Sequence, residues 1–157
     1  MFPIQFPVGS VIMTLDISTI DIILADDEVT NRVVGVMNLG IVGFDEDRIH
    51  EVEDGEEAIN KLQELQDSDS DSPIICILDL HMPGGMDGNI AGIKIRENLS
   101  KYTKRKPFLV CCSAEVVEQL KERPWAWAMH TFAPKPLLES VIQDMIGECD
   151  KLFGVNT

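Results

Sequence analysis

Residues 74–83, IICILDLHMP, constrain this chain more than any other stretch. Five of the first six are apolar, the pattern of a strand buried on both faces of a parallel sheet. The run stops at Asp79, and Pro83, Gly84 and Gly85 follow. In an open α/β fold such a strand delivers a carboxylate to the C-terminal edge of the sheet, where ligand sites form. Taken alone, the pattern equally fits an aspartate that caps a loop, so the remaining segments have to decide.

Residues 20–25 form a second short apolar run that leads directly into Asp26, Asp27 and Glu28. A helix is expected over 29–39, with Val33, Val36, Met37 and Gly40 on one face. A weaker strand follows at 48–53, then a helix over 56–66 striped by Ile59, Leu62 and Leu65. Residues 67–72, DSDSDS, read as a mobile polar loop. They lack the glycine and closing glutamate of a calcium loop. After the central strand come a loop, 80–89, and a third helix, 90–99. Lys101, Lys104, Arg105 and Lys106 form a basic cluster, expected to be a solvated loop. Residues 108–112 are strand-like and end at Ser113. A helix over 116–123 stops at Pro124, and Trp125 and Trp127 follow in a linker, one of them expected in the core. A last strand, 129–133, ends at Pro134-Lys135-Pro136, and a final helix covers 137–153 with a stripe of Leu138, Val141, Ile142, Met145, Cys149 and Leu152. Five strands alternating with five helices predict a doubly wound parallel sheet with helices on both faces. Residues 1–18, with Pro3, Pro7 and Gly9 among scattered apolar residues, read as an arm or an extra edge segment ahead of one domain, 19–157.

Bulk properties narrow the function. The 157 residues suit a single core. A net charge of −14 argues against nonspecific nucleic-acid binding, which needs Lys and Arg against phosphate. Dense carboxylates suit a divalent cation or a basic partner, though solubility alone accounts for much of the charge. Cys76, Cys111, Cys112 and Cys149 lie in apolar patterns without metal-ligand spacing, as buried thiols of a reducing compartment do. No apolar run approaches the ~20 residues of a membrane span. No basic residue precedes Arg32, unlike a secretory signal. These features lead us to expect a cytoplasmic protein with no membrane insertion.

In a parallel sheet the strand ends share one edge, so Asp26, Asp27, Asp79, Ser113 and Lys135 should converge. Packed carboxylates repel one another, and a cation or a raised pKa relieves the repulsion. A carboxylate can also attack a phosphoryl group and form an acyl phosphate, beside a metal, an ammonium and a hydroxyl that stabilise the transferred oxygens.

With these residues in order, the chain resembles the receiver domain of two-component response regulators, of the chemotaxis and sporulation type, over residues 20–153. The likeness rests on Asp26-Asp27, on residues 79–83 (DLHMP) with 86–88 (MDG), on Ser113-Ala114, on Phe132 and on Lys135-Pro136. It implies a flavodoxin-like five-stranded sheet, (βα)5, in the order 2-1-3-4-5. It implies Asp79 as phosphoacceptor, Ser113 as switch hydroxyl, Phe132 as aromatic switch and Lys135 as the phosphate-binding lysine, with a candidate cis bond to Pro136. Asp26, Asp27, Asp79 and the backbone carbonyl of His81 would hold Mg2+ or Mn2+. The donor would be a histidine kinase or a histidine phosphotransfer protein, and the signal would leave through a downstream protein or onward phosphotransfer. The face of the fourth helix, fifth strand and fifth helix would be open to a homodimer. Such a chain is not a conventional enzyme; it catalyses its own phosphorylation and dephosphorylation.

Two departures stand out. The family loop has one residue between its Pro and the MDG; here Gly84 and Gly85 make two. Pro134 removes a backbone donor beside the site. His81 and Glu115, two residues beyond Asp79 and Ser113, flank the expected path of the hydrolytic water and are candidates for setting the lifetime of the acyl phosphate; the plainer alternative leaves both facing solvent. A phosphorylation-independent interaction module is the alternative function, and the intact acid, serine and lysine set argues against it. An aspartate-nucleophile phosphatase needs a second Asp where His81 stands.

Overall fold

The computed structural model describes residues 13–154. Five parallel strands, β1 (Asp21–Ala25), β2 (Ile49–Val52), β3 (Ile74–Asp79), β4 (Pro107–Ser113) and β5 (Thr131–Pro134), lie in the order β2-β1-β3-β4-β5. The helices are α1 (Val29–Val42), α2 (Gly55–Leu65), α3 (Gly88–Arg96), α4 (Val117–Leu120) and α5 (Glu139–Phe153). This is the doubly wound parallel sheet expected from the alternation of elements, in the flavodoxin-like (βα)5 order that the resemblance implies.

The three central strands are buried residue by residue, because alternate side chains enter two different cores. Ile22, Leu24, Ile75, Ile77, Phe108, Val110 and Cys112 face Leu39 of α1 and Ile142, Met145 and Ile146 of α5. Ile23, Cys76, Leu78, Leu109 and Cys111 face Ala58 and Leu62 of α2, Ala91 and Ile95 of α3 and Leu120 of α4. A strand with apolar neighbours on both sides needs a continuous apolar run, and that is why these three were legible.

Several expectations are corrected. In α1 the side packed on the sheet is Arg32, Gly35 and Leu39, whereas Val33 and Met37 point outward. A Cβ on Gly35 would lie 2.9 Å from Leu24, so glycine is what lets this face approach β1. Helix α4 has four residues rather than eight; turns carry the chain on to Pro124. Leu138, the residue before α5, and Leu152 within it are exposed, and Ile146 joins the buried stripe.

Arg105 does not lie in a solvated loop. It is fully buried. Its Nη1 donates to Asp21 Oδ2 at 2.6 Å and to Ser68 Oγ at 2.9 Å, and its Nε donates to the Ser72 carbonyl at 2.8 Å. The 67–72 segment is likewise organised. Asp67, Asp69 and Asp71 face solvent while the three serines turn inward. Ser70 donates to the Thr19 carbonyl and Ser72 shares a hydrogen bond with Thr19.

Met13, Leu15 and Ile17, grouped with the arm by sequence, pack into the α1–α5 core, and Asp16 caps the short turn Ile17–Thr19. The rest of the arm, residues 1–12, lies outside the described residues. Among the described residues no helix is long and apolar enough to cross a membrane. All four cysteines are free and buried, and burial pushes each thiol up to about 12.

Candidate functional site

The C-terminal ends of β1, β3, β4 and β5 deliver the site. At the end of β1 the buried Asp26 accepts from the Glu28 N–H at 2.9 Å, a local turn that starts α1. Arg32, one turn into α1, donates to the Asp26 carbonyl at 2.7 Å and pairs with Glu51 at 3.3 Å. Asp27 is more open than Asp26 and Asp79.

Asp79 ends β3 and is 6% exposed. The Leu80 N–H continues the ladder to the Cys112 carbonyl at 3.3 Å. The loop then folds under itself. Met82 is buried, and its N–H donates to Asp87 Oδ1 at 2.8 Å. The extra glycine is accommodated by Gly84, whose φ of 93° is a left-handed conformation. Gly88 opens α3 directly against the Asp79 carbonyl, where a Cβ would overlap the oxygen.

Asp26, Asp27 and Asp79 each offer a carboxylate oxygen, and these oxygens lie within 4.8 Å of one another. Among the described residues they are the one group of at least three potential ligands brought so close. Lys135 Nζ sits between two of them, 2.9 Å from Asp26 Oδ2 and 3.0 Å from Asp79 Oδ1. Its backbone N–H donates to the Ser113 carbonyl at 2.9 Å, so pairing to β4 continues past the donor-less Pro134. The Lys135–Pro136 bond is cis. Burial raises the Asp79 pKa, the Asp26 charge adds to this, and Lys135 opposes it. Burial works against the Lys135 charge, yet the two carboxylates prevail and hold its pKa above the ordinary value. Behind these groups a cavity of about 60 Å³ is walled by Leu24, Val34, Ile77, Cys112 and Leu137.

Ser113 is buried at the end of β4, and its Oγ accepts from the Glu115 N–H at 3.1 Å. Phe132 is half-buried on β5, its ring centroid 6.4 Å from that of Trp125. His81 is exposed but not alone: its Nε2 lies 2.9 Å from Glu115 Oε2, and Glu115 Oε1 accepts from Arg123 at 2.8 Å. That pairing draws the Glu115 pKa down, with His81 the largest cause. Trp127 is exposed and Trp125 packs on the core.

The donor set fits a divalent cation. Three clustered carboxylates face one ammonium, which leaves excess negative charge on hard oxygen atoms, the ligands that Mg2+ and Mn2+ prefer. Asp26, Asp27 and Asp79 would hold it. Sequence reasoning missed Arg32, whose helical stripe gave no sign that a cation was buried, and Arg123, whose partner is eight residues away.

No family model and no curated protein matches the sequence. Solved structures match it in fold. A two component response regulator from Cytophaga hutchinsonii aligns with a TM-score of 0.64 at 19% identity, covering 82% of this chain and 95% of that one. A response regulator receiver domain protein from Methanospirillum hungatei aligns at 0.60 and 23% identity, covering 82% and 93%. The chemotaxis response regulator CheY4 of Vibrio cholerae aligns at 0.59 and 21%, covering 81% and 95%. The fold of this chain is that of response-regulator receiver domains.

Proposed function

We propose that this chain is a phosphoacceptor receiver, taking a phosphoryl group onto Asp79 from a histidine kinase or a histidine phosphotransfer protein. The observation that carries this reading is Lys135 Nζ held at 2.9 and 3.0 Å between Asp26 and Asp79 inside a three-carboxylate cluster. An Asp79 oxygen attacks phosphorus, the P–N bond of the phosphohistidine breaks, and the imidazole nitrogen leaves with the electron pair. Lys135 then pairs with a phosphoryl oxygen, and Ser113, freed from the Glu115 N–H, donates its hydroxyl to another. Asp26, Asp27, Asp79 and the His81 carbonyl would hold Mg2+ or Mn2+, which would supply positive charge between the acid and the incoming group. Phe132 reorients as Ser113 moves, and the population of a second state rises. The signal passes to a downstream protein or by onward transfer, and the exposed Trp127 beside β5 suits such a contact or a homodimer. Four inert buried thiols support a reducing, cytoplasmic setting.

Intact-protein mass after incubation with a small-molecule phosphodonor tests the reading. A Mg2+-dependent gain of one phosphoryl group, lost in Asp79→Asn, is expected. No gain in the wild type, together with no binding of beryllofluoride, would overturn it in favour of a phosphorylation-independent interaction module.

A further inference from the structure

Every polar group of Asp26 has a partner. Its N–H donates to the Val52 carbonyl of β2 at 3.1 Å. Its carboxylate takes the Glu28 N–H and Lys135. Its carbonyl takes Arg32 Nη1 at 2.7 Å. That last contact is the one regular structure does not supply. Asp26 lies past the end of β1 and ahead of Glu28, which caps α1, so its carbonyl falls outside both the sheet ladder and the helix. A buried carbonyl in that place needs a donor from elsewhere.

This carbonyl belongs to the peptide that joins Asp26 to Asp27. A peptide unit is planar and includes both flanking Cα atoms. Anchoring its oxygen therefore restrains the one rigid unit that carries both carboxylates. Arginine suits the task because its fork can serve a carbonyl and acids together. Nε of Arg32 lies 3.3 Å from Glu51 Oε1, and Nη2 lies 3.9 Å from Glu53 Oε1. Two exposed glutamates from β2 and the turn after it thus balance the charge of a buried arginine. Arg32 also stands on the sheet side of α1, with Gly35 and Leu39, where an apolar residue would pack without the cost of desolvating a charge.

We infer that Arg32 is a positioning residue for the divalent cation. By holding the 26–27 peptide it keeps Asp26 and Asp27 where their oxygens, with one of Asp79, lie within 4.8 Å of one another. The inference rests on reading these acids as cation ligands and does not depend on phosphoryl transfer.

Charge and position predict opposite signs. Taken as charge alone, removing a cation beside three carboxylates tightens the binding of Mg2+. Removing the anchor loosens it, and partners that orient metal ligands are worth about 10- to 100-fold in affinity. Isothermal titration of the metal-free full chain with Mg2+ reads the sign, at a temperature where urea denaturation shows each variant folded. Arg32→Met should bind about tenfold more weakly than wild type. Arg32→Lys, with one donor in place of a fork, should fall between the two, and it decides by the same criterion if Arg32→Met is too unstable to titrate. Arg105→Lys makes the same exchange in the other buried arginine among the described residues, which pairs with Asp21 at the opposite end of the sheet. It should lower stability and leave the affinity at the wild-type value. Affinity in Arg32→Met equal to or tighter than wild type would overturn the inference, as would an equal loss in Arg105→Lys, which would trace the effect to stability. Absence of Mg2+ binding in the wild type would remove the cation reading itself, and the inference with it.

Discussion

The ammonium nitrogen of Lys135 lies 3.0 Å from Oδ1 of Asp79. A second carboxylate, Asp26, shares it at 2.9 Å. Lys135 thus supplies part of the positive charge that a divalent cation would supply, and the two would compete. Lys135→Met should bind Mg2+ roughly tenfold more tightly, since one neighbouring charge at this range and burial is worth a few kcal/mol at most. Isothermal titration reads the affinity directly. An unchanged or weaker affinity would mean that Lys135 and the ion do not contend for the same oxygens.

Asp79 itself should be a stability liability. Burial raises its pKa, Asp26 adds to this, and Lys135 only partly offsets both. A carboxyl whose folded pKa lies above its unfolded one contributes stability below the unfolded value and loses it as pH rises through the folded value. At neutral pH Asp79→Asn should therefore be more stable than wild type by about 1 kcal/mol, with the gap narrowing toward acid. Lys135 keeps Asp26 as a partner, so the substitution strands no charge. Urea denaturation at several pH values checks this, and a less stable variant at pH 7 would contradict it.

At the opposite end of the sheet the sign reverses. Burial opposes the Asp21 charge, but hydrogen bonds from His50 and Arg105 outweigh it and hold the pKa at about 2, against 3.8 ordinarily. A depressed pKa contributes stability above the unfolded value, and this is lost as pH falls from about 3.8 toward about 2. Asp21→Asn should flatten stability over that window. Arg105→Met leaves Asp21 with only the half-buried Arg48 and His50, and should cost about 3–5 kcal/mol at neutral pH, measured by urea denaturation. It should also release the 67–72 segment to proteolysis.

The His81–Glu115 pair, two residues beyond Asp79 and Ser113, should affect the lifetime of the acyl phosphate. Glu115 also ties to Arg123, so the pair links the loops after β3 and β4. His81→Ala and Glu115→Ala should each change the dephosphorylation rate several-fold, the scale of one positioned polar group near a reacting water. Rates equal to wild type in both variants would return these residues to the solvent-exposed surface.

The two tryptophans should separate cleanly. Trp125 packs against Phe132 and the α2–α3–α4 core, while Trp127 is 55% exposed. Trp125→Ala should cost about 3 kcal/mol and Trp127→Ala less than about 0.5 kcal/mol. If Trp127→Ala instead weakens self-association in sedimentation, that face is a dimer contact.

Much of the site was legible because topology multiplies local signals. Parallel strands end on one edge, so acids and a lysine that follow apolar runs must meet wherever they fall in the chain. That logic places Asp26, Asp27, Asp79, Ser113 and Lys135 from sequence alone. It says nothing about residues that reach the site sideways. Arg32 supports the Asp26 carbonyl from within a helix whose outward face is the more apolar one, and Arg123 reaches Glu115 from beyond α4.

Sequence by itself determined the alternation of elements, the doubly buried central strands and the acids at their ends, because each is written in contiguous residues whose burial follows from period and polarity. Tertiary structure alone decided which face of α1 meets the sheet, that Arg105 is buried, that the serines of 67–72 turn inward and that Met13, Leu15 and Ile17 complete the core. Each of these depends on partners distant in sequence. Arg105 can be buried because Asp21, 84 positions away, sits 2.6 Å from it. A side chain's charge argues for solvent until the fold brings its counter-charge and acceptors into place.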